Sequence, residues 1–201
     1  MNLHGGVSLK RWWTTLLVSL CVVWPTVVGA AEIAGVRFSE AVRLDERSLV
    51  LNGVGLRAVA FIRGYAAGLY VPQKSGDAEA LIGQKGPKRL SLHMLRQVSA
   101  ADFIDALDHG LRRNLRAEEV QALTPRIDAF NRTLAEIGGA NKGEVVDLDL
   151  DAEGNTRLRV NGGLRGQPVA GADFYAALMR VFIGERPVDP GLKKGLLGQN
   201  A

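Results

Sequence analysis

The spacing of apolar residues changes period three times along this chain, and that alternation limits the folds open to it. From Ile33 to Val71 there are short apolar stretches broken by glycines and charges: Val36/Phe38, Val42/Leu44, Leu49/Leu51, Val59/Phe61 and the run Ala66 to Val71. These have the length and alternation of antiparallel strands. Asp77 to Gln84 fits one short helix, and Arg89 to Leu95 alternates like another strand. The period then becomes helical. Ser99 with Asp102 forms a capping box ahead of Phe103, Ile104, Leu107, Leu111 and Leu115. Val120, Leu123, Ile127, Phe130, Leu134 and Ile137 define a second amphipathic helix ending at Gly138-Gly139, with Pro125 marking a kink or its true start.

After Gly143 the period returns to two. Val146, Leu148 and Leu150 face one way and Asp147, Asp149 and Asp151 the other, the latter read as a solvated strand face. A turn at Glu153-Gly154-Asn155 leads into a strand from Thr156 to Val160. Asp173 is expected to cap a helix that is apolar nearly all round and ends at Gly184. Asp189 is expected to cap a last short helix with Pro190 in its first turn and Gly198 as its stop. The expected fold class is α+β, a curved antiparallel β-sheet covered by a layer of α-helices.

Residues 1–30 read separately. All three tryptophans (Trp12, Trp13, Trp24) and the lone Cys21 fall there, with Lys10 and Arg11, an apolar run from Leu16 to Val23, Pro25 and the small residues Gly29, Ala30 and Ala31. This is the pattern of a cleaved secretory signal peptide, with cleavage near Ala30 or Ala31, and the run is too short to span a bilayer. The expectation is therefore a periplasmic or secreted protein with one domain, 31–201, and no stable membrane span after cleavage. Without the leader, 23 basic side chains face 21 acidic ones and no cysteine remains. Thiol catalysis and zinc–cysteine sites are excluded, and nucleic acid is not an expected partner because the charges alternate in sign without a basic block.

Several motifs fail on spacing or context. Gly53-Val-Gly55-Leu-Arg57-Ala58 imitates a dinucleotide fingerprint, but no helix follows it, so it reads as a glycine-rich turn or bulge and no cofactor is expected. Counting from Asp147, a calcium loop would need glycine where Ala152 stands and glutamate where Leu158 stands. His93 and His109 lack ligand spacing, so no metal is expected, and neither Ser75 nor Ser91 sits in a nucleophile elbow. What remains is Arg57 and Tyr65, eight residues apart, which on an uninterrupted strand share a face. A guanidinium and a phenol among apolar side chains could converge on a carboxylate or enolate; the alternative is a pair of exposed edge-strand residues.

At these residues the sequence resembles a known family. Leu51-Asn-Gly-Val-Gly-Leu-Arg57 and Gly64-Tyr-Ala-Ala-Gly-Leu-Tyr70 resemble the opening of chalcone isomerase-like domains. Val160-Asn-Gly-Gly, Gly171-Ala-Asp-Phe-Tyr-Ala-Ala-Leu178, Phe182-Ile-Gly184 and Pro187 to Gly198 are similar to the bacterial, exported branch. The resemblance implies an open-faced β-sandwich enclosing an apolar cleft. It also implies one of two activities: cyclisation of a chalcone-like enone by an isomerase (an intramolecular lyase), or non-catalytic binding of a fatty acid whose carboxylate an arginine and a tyrosine hold. Arg57 matches the family arginine. Tyr65 matches the tyrosine of the fatty-acid binders, where plant isomerases carry threonine, and Val181 stands where those enzymes carry a hydroxyl residue. Counterparts of their catalytic tyrosine and asparagine are not found. The expectation is a binder of a small amphipathic ligand, with Arg57 and Tyr65 as ligand-binding residues. The alternatives are an enone isomerase using the same two residues, and an envelope protein-interaction module that presents the Val120–Ile137 helix beside a vestigial cleft.

Overall fold

Strands in the first half of the chain are short and glycine-punctuated, and they pair in sequence order. A computed structural model describes residues 1–2, 30–59 and 61–199; the expected leader lies almost wholly outside the described residues. β1 (Ala30–Ile33) pairs with β2 (Val36–Ser39) as a separate two-stranded hairpin. β3 (Ala41–Leu44), β4 (Arg47–Val59), β5 (Ile62–Val71) and, after the short helix α1 (Ala78–Gly83), β6 (Lys88–Met94) enter the main sheet. The short strand β7 (Val98–Ser99) leads into α2 (Ala100–Asn114) and α3 (Ala117–Ile137), and β8 (Gly139–Ala140) pairs back on β7. β9 (Val145–Leu150), β10 (Asn155–Val160) and β11 (Gly163–Ala170) complete the sheet, followed by α4 (Ala172–Ile183) and α5 (Pro190–Leu196). The seven strands run antiparallel in the order β11-β10-β9-β6-β5-β4-β3.

The expected α+β class, a curved antiparallel sheet under helices, is the observed one. The local chemistry explains most boundaries. Asp77 caps α1 by accepting from the Ala80 amide, and the Ser99 hydroxyl accepts from the Asp102 amide at the start of α2. Gly138 ends α3 in the left-handed region, where glycine has no steric cost. Pro125 lies inside α3, two turns from its start, so it does not mark the beginning of that helix. α4 starts one step before the expected cap: Gly171 is the N-cap, and Asp173 in the first turn instead forms a bidentate ion pair with Arg126, at 2.6 and 2.8 Å. β11 has no counterpart among the sequence expectations. It is an edge strand whose residues are almost all exposed, so it carries no apolar alternation to read.

The sheet is buried on both faces at its centre. Tyr65, Ala67, Leu69 and Val71 of β5 join the main core under α2, α3 and α4, while Ala66 and Tyr70 pack with Phe38, Leu44, Leu49 and Leu51 beneath the β1–β2 hairpin. That is why β5 reads as an unbroken apolar run rather than an alternation. The aspartates of β9 share this outer face and are not solvated as expected: Asp149 and Asp151 are fully buried and Asp147 nearly so. Cross-strand arginines cover them. Arg89 of β6 makes a bidentate bond to Asp149, at 2.6 and 2.7 Å, and Arg159 of β10 reaches the same carboxylate at 3.2 Å. Arg157 holds Asp151 at 2.8 Å and Asp45 at 3.2 Å. Burial pushes the Asp149 carboxyl up against the pull of Arg89, and its bond to Asp149 raises Arg89 further.

One buried charge has no carboxylate partner. Lys88, at the start of β6, is almost fully enclosed and donates to the Gln84 carbonyl, and desolvation lowers its pKa to about 8. A folded-state pKa below the unfolded one means the unfolded chain holds the proton to higher pH, so stability rises as the folded lysine deprotonates. Denaturant unfolding should therefore show the protein more stable at pH 9 than at pH 7.5, and Lys88→Met should flatten that rise while raising stability at neutral pH.

Candidate ligand-binding site

On β4 the residues facing the helices are Gly53, Gly55 and Arg57, paired across the ladder with Leu69, Ala67 and Tyr65 of β5. The glycine pair has a packing reason. A Cβ on Gly55 would come within 2.5 Å of the Leu192 carbonyl oxygen, and one on Gly53 would fall on the Gly195 carbonyl. Only glycine lets α5 lie this close against the strand. The dinucleotide-like motif is therefore a helix seat, inside a strand that bulges between Leu51 and Gly53.

Two polar contacts fasten α5 to that seat. At its C-terminal end the buried Asn52 donates to the Leu196 carbonyl at 2.7 Å and accepts from the Ser75 amide at 2.8 Å. At its N-terminal end Asp189 uses one carboxylate oxygen to cap the Leu192 amide at 3.0 Å. Its other oxygen accepts from Arg57 Nη1 at 3.3 Å and from the Ala58 amide at 3.4 Å. The same guanidinium nitrogen also donates to the Ala58 carbonyl at 3.1 Å. Among the described residues Arg57 is thus held through one nitrogen, which leaves its remaining donors available to a ligand.

Arg57 and Tyr65 do share a face, though not because one strand carries both. They sit on neighbouring strands as direct cross-strand partners, with the β4–β5 hairpin between them. Tyr65 lies on an interior strand, and Arg57, on the stretch of β4 beyond its pairing with β3, is half-buried against Asp189, so neither is an exposed edge residue. Tyr65 is buried, and desolvation raises its phenol far above the ordinary value, with Arg57 pulling down and Asp189 pushing up. The phenol therefore stays protonated and is a hydrogen-bond donor.

The two residues line a cavity of about 490 Å³ between the sheet and the helices. Leu92, Val146, Leu148, Leu158 and Val160 form its sheet wall, and Phe103, Leu107, Phe130, Leu134, Leu178 and Phe182 its helical wall. The polar lining consists of Arg57, Tyr65, Arg96, Gln97 and Asp102. Arg96 and Gln97 follow β6 beside the turn end of the β4–β5 hairpin, where the Leu95 amide donates to the Gly64 carbonyl at 3.0 Å. Asp102 already accepts from the Ser99 hydroxyl at 2.8 Å. Sequence reasoning missed Asp189 as the partner of Arg57, and it missed Arg96 and Gln97. The capping role of Asp189 was readable, but its approach to a residue 132 positions away was not.

A family model described as chalcone isomerase-like matches residues 30–198. The chain belongs to the chalcone isomerase-like family. Its fold is similar to the crystal structure of an Arabidopsis thaliana fatty-acid binding protein, with a TM-score of 0.65 and 15% identity over 84% of this chain and 96% of that one. No curated protein matches the chain. In this member of the family α5 packing accounts for the Gly53–Gly55 pair. Gly55→Ala should cost about 1–3 kcal/mol by overpacking against Leu192. Displacing α5 should also separate Asp189 from Arg57, readable as increased hydrogen exchange at the Leu192 amide.

Proposed function

We propose that this protein is a non-catalytic carrier or sequestering protein for a fatty acid or similar amphipathic carboxylate, working in the periplasm or outside the cell. One observation carries the reading: an apolar cavity with a half-buried arginine and a buried tyrosine set side by side into its wall. A volume of about 490 Å³ falls within the roughly 300–1,000 Å³ of small-ligand sites. Arg57 supplies fixed positive charge and unused donors, Tyr65 a protonated hydroxyl, and the aromatic and aliphatic walls take the tail. The fatty-acid binding described for the Arabidopsis protein of similar fold agrees with this reading. Export rests on the N-terminal pattern, and among the described residues no helix is long and apolar enough to cross a membrane.

The other two readings fit the geometry less well. An isomerase would need groups that stabilise a developing enolate and a base for the attacking hydroxyl. Tyr65 stays protonated, and the wall position expected to carry a hydroxyl is Val181. An interaction module with a vestigial cleft would have the cleft filled, whereas the cavity is open and α3 turns Leu123, Ile127 and Phe130 into the core.

Native mass spectrometry of the purified protein should show a bound carboxylate. Arg57→Ala should weaken lauric acid binding by about 1.5–3 kcal/mol, roughly ten- to hundredfold in Kd, and Tyr65→Phe by about 1 kcal/mol. Unchanged affinity in both variants would remove the basis of the proposal. Asp189→Asn keeps an acceptor for the Leu192 amide but removes the charge that competes for Arg57, so titration calorimetry should show severalfold tighter carboxylate binding. Cyclisation of a chalcone panel should run no faster with the protein than in buffer.

A further inference from the structure

Apart from Met1, the large apolar side chains left exposed among the described residues are Phe61, Ile62 and Leu164. All three lie at hairpin turns at one end of the sheet. The register shows this: the end of β4 meets the start of β5, Tyr65 pairs with Met94 at the end of β6, and Met94 bonds the loop before β9. Val145, at the start of β9, in turn bonds Asn161 at the β10–β11 turn. Phe61 is fully exposed at the β4–β5 tip and Ile62 is 54% exposed. Ile62 also lines the cavity, together with Gly64, Tyr65, Arg96 and Gln97 from the same end. The apolar tip therefore stands at the mouth of the cavity.

The surrounding charge is mainly basic. Arg63 and Arg96 are exposed beside the tip and Lys142 is exposed in the neighbouring loop before β9. Of the acidic groups at this end, Glu144 accepts from the Asn141 amide and Asn161, Asp102 from Ser99, and Asp189 from Arg57, while Glu136 of α3 is exposed. An aromatic and a branched aliphatic residue at a hairpin turn, flanked by basic side chains that make no ion pair among the described residues, match the layering of a bilayer surface. The apolar pair would enter the acyl boundary while the cations meet lipid phosphates. A flat, mixed surface would suit a protein partner better.

We propose that the Phe61–Ile62 hairpin tip docks on an anionic phospholipid bilayer and holds the cavity mouth against it, so that the amphipathic ligand passes between membrane and cavity without crossing bulk water. The ligand-transfer clause rests on the carboxylate-binding function proposed above; the docking itself does not. Neither Phe61 nor Arg63 lines the cavity, so both can be changed without altering the ligand walls.

The test is co-sedimentation of the full chain with vesicles of phosphatidylglycerol and phosphatidylethanolamine, and with phosphatidylcholine vesicles alone, comparing wild type, Phe61→Ser and Arg63→Gln. Residues 1–30 contribute equally to all three proteins, and hydrogen exchange of residues 58–66 on adding vesicles reads the tip locally. The expected result is about tenfold weaker partitioning for Phe61→Ser, and a severalfold loss for Arg63→Gln on anionic vesicles only. Protection of the tip should be lost in Phe61→Ser, and lauric acid binding in solution should be equal in all three. Equal vesicle binding by all three with no protection of the tip overturns the docking. So does a soluble protein that protects the tip where vesicles do not. Lauric acid binding without vesicle docking leaves the site reading standing, and docking without lauric acid binding removes the site reading while keeping the membrane contact.

Discussion

The seating of α5 on β4 is the contact on which the site depends. Gly53 and Gly55 open a groove in the helix-facing side of a strand that otherwise carries side chains, and α5 fills it along its length. Asn52 of β4 fixes one end of the helix and Arg57 of β4, through Asp189, the other, so the spacing of Asn52 and Arg57 is matched to a helix of seven residues. Because Asp189 is both helix cap and partner of Arg57, the position of the guanidinium is set by backbone packing rather than by a flexible side chain alone. A cation fixed in this way and only partly satisfied is preorganised for an anion.

The two faces of the sheet are stabilised by different physics. Toward the helices the strands bury leucine, valine and aromatic side chains, and the cavity is the volume those side chains leave between β6, β9 and β10 below and α2, α3 and α4 above. On the outer face, beyond the small apolar patch under the β1–β2 hairpin, rows of arginine and aspartate cross β6, β9 and β10. A buried ion pair of this kind adds little or nothing over a well-packed apolar substitute, but separating the partners is costly, so it favours one register of strand pairing over its neighbours. That register also brings Arg57, Tyr65 and Arg96 to the same end of the sheet.

Under the proposed reading the cavity holds its ligand rather than transforms it. Arg57 supplies charge and Tyr65 a protonated donor, and burial keeps the phenol from acting as a base near neutral pH. Both features stabilise a carboxylate that is already an anion, whereas a developing enolate needs a proton acceptor elsewhere. The exposed apolar tip and its flanking basic residues belong to the same end of the molecule as Arg57 and Tyr65, so the proposed ligand site and the proposed membrane contact fall at one place.

Much of the fold was legible in the sequence because its determinants are local. The period of Phe103 to Leu115, the Asp189 cap and the glycine stops act within one or two turns, and the strand and helix order followed from them. The sharing of one face by Arg57 and Tyr65 was also legible, though the even spacing that suggested it applies to an uninterrupted strand and the molecule brings them together across a hairpin. Three things needed tertiary structure. β11 has no alternation to read, because both its faces meet solvent. The Asp147, Asp149 and Asp151 face looks solvated because a period of two separates faces without saying which is covered, and the arginines that cover it come from other strands. The partner of Arg57 arrives from a helix at the far end of the chain, over glycines whose only sequence signal is the absence of a side chain. The sequence by itself determined the elements and the residue types at the site. Tertiary packing decided which charges meet and where the cavity opens, because those depend on contacts between residues far apart in the chain.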